Sequence, residues 1–245
     1  MIKSFIAALV SCLVLMVSAA TASESIKVAA IFAKTGKAAA GNNSALEGVR
    51  FAVHQLNLDG GVLGRPVELI ELDNHSTPLH SKKAAEEAVK QGVLAVIGAN
   101  WSSHSMAMAP VLEKANTLML SPYSTHPDVT RKGRYIFRLC FIDSFQGQVM
   151  ASFAFNDLNL RRAAVLVNAS SAYSETLSDF FQESFMKKGG EIIFREEYVD
   201  DEKNFTPLLK RLNAVKPDAV FVPGNIADSG RIIKQARDLG MTEVF

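Results

Sequence analysis

The sequence is poor in cysteine and tryptophan and has no long run of one charge. Its two cysteines are Cys12 and Cys140, and Cys12 lies in an N-terminal leader that we expect to be removed. An intrachain disulfide is then excluded, so stability has to come from the apolar core. Lysine and arginine number 26 against 25 aspartate and glutamate, with no extended basic run. Because nucleic-acid binding needs a concentrated basic surface, nucleic acid is not an expected partner.

Signatures of catalysis and metal binding are also missing. There is no Gly-x-Ser-x-Gly elbow and no Gly-x-Gly-x-x-Gly fingerprint, and Gly36-Lys37 lacks the spacing of a phosphate-binding loop. The five histidines are scattered, and none stands at the i, i+4 spacing of a metal site. We therefore predict that the protein is not an enzyme and needs neither metal nor cofactor. Only His104 is close to the anion site predicted below, where a charged imidazole would sense pH.

The first 22 residues have the three-part layout of a secretory signal peptide. Lys3 precedes an almost wholly apolar stretch over residues 5–17, and Ala20-Thr21-Ala22 is a small-x-small cleavage site. The apolar stretch is shorter than the ~20 residues that a membrane-spanning helix needs. We predict cleavage after Ala22 and export to the periplasm.

After the leader, short apolar runs alternate with helical patterns. Runs such as 26–32, in which Lys27 is the one charged residue, and 94–97 are almost wholly apolar, which is typical of strands buried on both faces of a parallel sheet. The predicted fold is α/β, with two doubly wound parallel-sheet lobes. The first lobe is expected over residues 23–142 and the second, incomplete, over residues 143–245. The final Glu243-Val244-Phe245 is predicted to begin another strand, so we expect the chain to be a fragment.

Two of the apolar runs end in clusters of small polar residues. The first cluster is Asn100-Trp101-Ser102-Ser103, followed by a helical pattern to residue 115, and the second is Tyr123-Ser124-Thr125. A helix that begins after a buried strand offers unpaired N–H groups and partial positive charge, and hydroxyls add donors. The pattern predicts a site for a carboxylate. Other interpretations stay open: Ser102 and Ser103 as helix caps, Thr125 as a turn residue, and Trp101 as a core side chain.

Five further sequence motifs follow one another along the chain. They are Gly60-Gly61-Val62-Leu63-Gly64-Arg65-Pro66, Val96-Ile97-Gly98, Leu120-Ser121-Pro122 with Thr125-His126-Pro127, Phe137-Arg138, and Ala236-Arg237-Asp238-Leu239-Gly240. In order and spacing they resemble the bacterial branched-chain amino acid binding proteins, the leucine/isoleucine/valine-type periplasmic receptors of ABC importers. The resemblance covers the chain from about residue 26 to its end.

The resemblance implies two lobes, joined by crossover strands, that close on a solute. It implies that Ser102 and Thr125 donate to the solute carboxylate and that Tyr173 of the second lobe lies over the solute. It places Asn100, Trp101, Tyr123 and Ser124 in the wall of the cleft. It also implies an inner-membrane ABC permease as partner. The expected function is periplasmic capture of an amino acid or a similar small carboxylate; the alternative is a ligand-sensing domain of an amino acid or amide regulatory system.

The chain departs from this family at several positions. Family tyrosines are replaced by Ala40 and by Asn225, and a cysteine pair found in some members is replaced by Ser76 and Trp101. The family's acidic residue for the solute ammonium would lie just beyond Phe245. These departures argue against leucine, isoleucine or valine and leave another amino acid, an amide or an aromatic acid open. We expect the 245-residue chain to fold poorly or to bind weakly.

Overall fold

The computed structural model describes residues 24–131 and 133–245. The predicted signal peptide lies outside the described residues. The elements of the first half, in chain order, are β1 (Ile26–Phe32), α1 (Ala39–Leu58), β2 (Val67–Asp73), α2 (Pro78–Lys90), β3 (Ala95–Gly98), α3 (Ser102–Lys114), β4 (Leu118–Ser121), α4 (Asp128–Arg131) and β5 (Ile136–Arg138).

The second half repeats the alternation after a connecting helix. Its elements are α5 (Asp143–Ser152), a π-helical turn (Phe153–Asp157), β6 (Arg162–Asn168), α6 (Ala172–Lys187), β7 (Glu191–Tyr198), α7 (Thr206–Val215), β8 (Ala219–Phe221) and α8 (Ile226–Asp238). None of the helices in the described ranges is long and apolar enough to cross a membrane. The predicted lobe boundary falls directly before α5, and the division into domains stays a prediction.

Every strand pairing within the two sheets is parallel, which confirms the α/β prediction. The first sheet has the order β2-β1-β3-β4-β5 and the second has the order β7-β6-β8. The bridge between Val244 and Ala219 extends the second sheet beyond β8, where the sequence predicted the start of a strand.

Alternate side chains of β1 serve two different cores. Ala29 and Ile31 pack with the buried faces of α2 and α3, whereas Ala30 and Phe32 pack with α1. Because successive strand side chains point to opposite faces, an unbroken apolar run is buried only if helices cover both faces. The apolar runs of the sequence therefore required a doubly wound sheet.

The second sheet is built in the same way around β6. Ala163, Val165 and Val167 face α5 and α6, where the rings of Phe181 and Phe185 stack at 5.5 Å between centroids. The alternating residues of β6 face α7 and α8. Each sheet is thus covered by helices on both faces, and its ligand-accessible surface is confined to the strand ends.

The start of the first helix differs from the sequence pattern. The apolar periodicity placed the start of the first helix at Ala45, but α1 begins at Ala39. Asn42 occupies the missing core position, because its side chain donates to Ala38 O at 2.8 Å and accepts from Ala33 N at 3.3 Å. By contrast, Thr77-Pro78 predicts an N-cap with proline at the first helical position, and this is confirmed: the Thr77 hydroxyl accepts from His80 N at 3.1 Å.

Candidate functional site

The predicted site residues follow strands near the points where the strand order of each sheet reverses. In the first sheet β1 lies between β2 and β3, and in the second β6 lies between β7 and β8. Open parallel sheets form ligand crevices outside the carboxyl ends of strands at such reversals. Ser102 follows β3, Thr125 follows β4, Tyr173 follows β6 and Asn225 follows β8.

Close packing of β1 against β3 explains the glycine at the end of β3. Gly98 has φ of 138°, and a Cβ on this residue would lie 2.1 Å from the carbonyl oxygen of Ile31. No residue with a side chain fits this contact without moving the backbone. The motif Val96-Ile97-Gly98 therefore brings the turn after β3 alongside the loop after β1.

The start of α3 leaves donors for a ligand. Trp101 stands at the N-cap, and no side chain of the described residues caps this helix. An indole has no acceptor, so the first backbone N–H groups of α3, including those of Ser102 and Ser103, lack a capping partner. The two serines are the first helical residues rather than caps. The Ser102 hydroxyl accepts from His126 N at 3.2 Å, which links α3 to the turn after β4.

Buried hydroxyls join the two polar clusters to each other. The Ser124 hydroxyl lies 2.7 Å from that of Ser105 and 3.1 Å from the carbonyl oxygens of Ala99 and Asn100. Ser121 donates to the same Ala99 oxygen at 2.8 Å. Ser124 is fully buried by these contacts, so in this structure it connects the two turns rather than facing a ligand.

Arg138 holds the turn that carries Thr125. Its guanidinium donates to four acceptors: Ser124 O at 2.9 Å, His126 O at 2.9 Å, Pro127 O at 3.1 Å and Thr130 Oγ1 at 2.8 Å. A guanidinium carries five N–H donors in one plane, so it can bond to several acceptors at once. The Phe137-Arg138 motif thus shapes the turn after β4, and Thr125 itself is almost fully buried there.

Asp143 is a buried carboxylate at the beginning of α5. The run Asp143-Ser144-Phe145-Gln146-Gly147 predicts a helix start with an acidic cap. In the structure Ile142 is the N-cap, and neither Asp143 oxygen has a hydrogen-bond partner of ordinary geometry in the described part of the chain. Burial raises the pKa of this carboxyl to about 6, although the nearby Thr125 hydroxyl and the Arg138 charge oppose the rise. The prediction of an acidic cap was wrong, because the side chain points into the protein.

The beginning of α6 lies opposite the turn after β4. Burial raises the pKa of the Tyr173 phenol, with Gln146 beside it and Tyr123 near enough to act on it. Burial lowers the pKa of His126, and the charge of Glu175, in the same turn of α6, is near enough to oppose this lowering. Tyr173 is half-buried, whereas Tyr123 is 72% exposed. These proximities bring Tyr173 and Tyr123 to the same end of the cleft.

Asn100 and the residue after Asn225 both lie near Gly41, close to the start of α1. Asn100 donates to Gly41 O at 3.2 Å, and among the described residues its buried Oδ1 has no partner. Asn225 is the N-cap of α8, and its side chain makes no capping bond in that part of the chain. The next residue, Ile226, reaches toward the first lobe: a Cβ built on Gly41 would lie 3.9 Å from its Cδ1.

His104 does not behave as the sequence suggested. It is almost fully buried in α3, its ring lies tilted with its centroid 5.3 Å from that of Trp101, and 3.4 Å separate its Nδ1 from Asn74 Nδ2. Burial lowers its pKa to about 4, so it is neutral at pH 7. The expected pH-sensing charge is therefore absent. The Trp101 indole packs on His104 on one side and is half-exposed on the other.

Sequence patterns missed two charged residues at the cleft. Lys37, in the loop after β1, forms an ion pair with Asp200, which follows β7 in the second lobe. Gly36-Lys37 had been considered only as a phosphate-binding motif. The acidic run that begins at Asp200 carries no periodicity, so only the folded chain reveals the pairing. Within residues 24–131 and 133–245, no three histidine, cysteine or acidic side chains are grouped to hold a metal ion.

The architecture defines a class of protein. Solved structures with the same fold include a leucine-binding protein of Thermotoga maritima, with 36% identity and a TM-score of 0.84, which covers 89% of this chain and 61% of that chain. Another is the branched-chain amino acid transporter substrate-binding protein of Streptococcus pneumoniae in complex with isoleucine, with 29% identity and a TM-score of 0.85, covering 90% of this chain and 63% of that chain. The fold is that of the type I periplasmic binding proteins.

The sequence agrees with this class. Residues 25–245 match the periplasmic binding protein family, and the chain belongs to it. A leucine-specific-binding protein of Salmonella typhimurium is 30% identical over 244 residues, which are 99% of this chain. The chain spans 65% of the length of that relative. The family consists of solute-binding proteins, and the resemblance noted in the sequence is confirmed.

Proposed function

We propose that this chain carries the solute-capturing cleft of a periplasmic receptor that delivers an amino acid or a related small carboxylate to an ABC importer. The relatives named above bind leucine, or isoleucine in one structure, which supports an amino acid as the solute. Their likeness also favours transport over the sensory alternative. The proposal includes export through the predicted signal peptide, docking on an inner-membrane permease, and no catalysis.

One observation carries the proposal: the uncapped start of α3 faces the turn that holds Thr125. A solute carboxylate between them would accept from the backbone N–H groups of Ser102 and Ser103 and from the two hydroxyls. Each bond to a charged acceptor is worth about 1.5–3 kcal/mol. The partial positive charge of the helix start adds to this attraction. Ser124 and Arg138 keep the two turns in register.

Binding is completed from the second lobe. Tyr173 and Asn225 follow β6 and β8, whose carboxyl ends form the opposite wall of the cleft. We infer that Tyr173 covers the apolar part of the solute and that Trp101 narrows the pocket beside it. Contacts from both lobes exist together only when the lobes are close. Solute binding therefore shifts the population toward the closed form.

Isothermal titration calorimetry with amino acids, amides and short acids tests this proposal. We expect weak but measurable binding of at least one solute that carries a carboxylate, in keeping with the weak binding expected of this 245-residue chain. Ser102→Ala should weaken its affinity about tenfold or more, because one charge-assisted hydrogen bond is lost. Thr125→Val should act in the same direction. Ser184→Ala, in the distant half of α6, is the matched control and should leave the affinity unchanged.

The solute itself provides a second check. Replacing its carboxylate by a carboxamide should weaken binding to the wild type but have a smaller effect on Ser102→Ala, since the missing hydroxyl no longer distinguishes the two groups. Thermal unfolding of each variant separates lost contacts from misfolding. Equal affinity of wild type and Ser102→Ala for every carboxylate solute would refute the assignment.

A further inference from the structure

We propose that Lys37 and Asp200 are positioning residues that form an ion-pair latch between the two lobes. Lys37 belongs to the loop between β1 and α1 of the first sheet, and Asp200 follows β7 of the second sheet. The pair therefore joins the two walls of the proposed cleft. The inference adds a closing element to the proposed function, but it concerns lobe geometry and can be tested without any solute.

The Lys37 side chain lies beside Trp101, at the candidate carboxylate site. Its Nζ lies 5.9 Å from the centroid of the Trp101 ring, and its charge is close enough to contribute to the lowered pKa of His104, after the larger effect of burial. Lys34, three residues earlier, points elsewhere and pairs with Glu71 of the first lobe at 2.9 Å. Two lysines of one loop thus have different partners, and only Lys37 crosses to the second lobe.

Asp200 is held by residues of the second lobe as well as by Lys37. Asn168 donates to Asp200 Oδ1 at 2.8 Å, and the Asp200 backbone N–H donates to the Ser170 hydroxyl oxygen at 3.1 Å. The same Asn168 amide donates to Asp228 Oδ2 at 3.3 Å, so one side-chain amide binds two carboxylates. The charge of Asp200 also contributes, after burial, to a raised pKa of Asp228. Cations beside this pair relieve their repulsion: Arg231 lies 3.9 Å from Asp228 within the second lobe, and Lys37 adds a second positive charge from the first lobe.

The two lobes also approach each other near the ion pair, although the Ile226 side chain is 84% exposed. Ile226, the first residue of α8, approaches Gly41 near the start of α1, only four residues after Lys37. Because the Lys37 and Asp200 side chains are 41% and 17% exposed, the latch is partly screened by solvent. We expect it to change the ratio of closed to open forms about two- to fivefold.

Distance measurements between spin labels test the latch in the solute-free protein. Labels go on cysteines at the exposed positions Lys83 in α2 and Lys188 just after α6, in a Cys140→Ser background. Lys37→Glu and Asp200→Lys should each widen the interlobe distance distribution. The double charge reversal should restore the wild-type distribution. Lys34→Ala is the matched control for Lys37→Ala and should leave the distribution unchanged.

Salt gives an independent readout of the same pair. Raising the NaCl concentration should widen the distribution of the wild type and of the double reversal, but not that of Lys37→Ala. Circular dichroism of each variant shows that it is folded. The latch is refuted if both single reversals keep the wild-type distribution, or if the double reversal stays as open as the singles. Loss of solute binding with an intact latch would refute only the proposed function.

Discussion

Replacing Asp143 by asparagine should stabilise the protein at neutral pH. The carboxyl is fully buried without a hydrogen-bond partner of ordinary geometry among the described residues, and burial raises its pKa from 3.8 to about 6. Two pKa units correspond to about 3 kcal/mol of destabilisation once the group is ionised. A carboxylate in the first turn of α5 gains about 0.3–1 kcal/mol from the helix dipole. The expected net gain for Asp143→Asn is therefore about 2 kcal/mol at pH 8.

The sign of the pH dependence follows from the raised pKa. Below pH 3.8 the carboxyl is protonated in both folded and unfolded chains, so it imposes no penalty. As the pH rises through 3.8 the unfolded chain ionises first, and the penalty grows until the folded carboxyl ionises near pH 6. The advantage of Asp143→Asn should accordingly be near zero at pH 3.5, grow between pH 4 and 6, and stay constant above pH 7.

Urea unfolding at several pH values measures this difference. Trp101 is the single tryptophan of the chain, so its fluorescence reports on the region beside the cleft, and circular dichroism reports on the whole chain. Asp179→Asn is the control, because this exposed aspartate pairs with Arg195 on the surface and should change stability by less than about 1 kcal/mol. The reasoning fails if Asp143→Asn is less stable at pH 8 or if its advantage does not vary with pH.

Two further substitutions test how the site is supported. Arg138→Lys should lower the free energy of unfolding by about 2 kcal/mol in urea titrations at pH 7, because an ammonium cannot replace the guanidinium bonds to the turn after β4; an unchanged midpoint and slope would contradict this role. Gly98→Ala should lower it by about 2 kcal/mol or more, since its Cβ would collide with Ile31 O. Gly230→Ala in α8, with open space around the new methyl, should instead raise it by up to about 1 kcal/mol, and equal effects of the two alanines would refute the steric argument.

Much of the fold was predictable because a strand that is buried on both faces appears in the sequence as a continuous apolar run. Residues 28–32 are all apolar and residues 29–32 are all buried, which only a strand covered on two sides allows. Thr77-Pro78 predicted a helix start in the same local way. The start of α1 was missed because the buried Asn42 looks polar in the sequence, although its amide is satisfied by the backbone at the end of β1.

The candidate site was predictable as a region but not residue by residue. Ser102 and Ser124 are both serines after apolar strands, and nothing local distinguishes them. In the folded chain Ser124 is enclosed by the carbonyls of Ala99 and Asn100, whereas Ser102 begins α3. The assignment of ligand contacts to Ser102, Thr125 and Tyr173 stays a prediction, supported by their places at the carboxyl ends of the strands.

The sequence by itself determined the alternation of strands and helices, the parallel sheets, and the family, because these depend on periodicity and motif spacing along the chain. Only the tertiary structure decided which polar groups face each other. Lys37 and Asp200 stand 163 positions apart, and Asp143 has its raised pKa because of what encloses it. Charge pairing and desolvation depend on distance and burial in three dimensions, so the pairing of Lys37 with Asp200 and the enclosure of Asp143 became visible only in the folded chain.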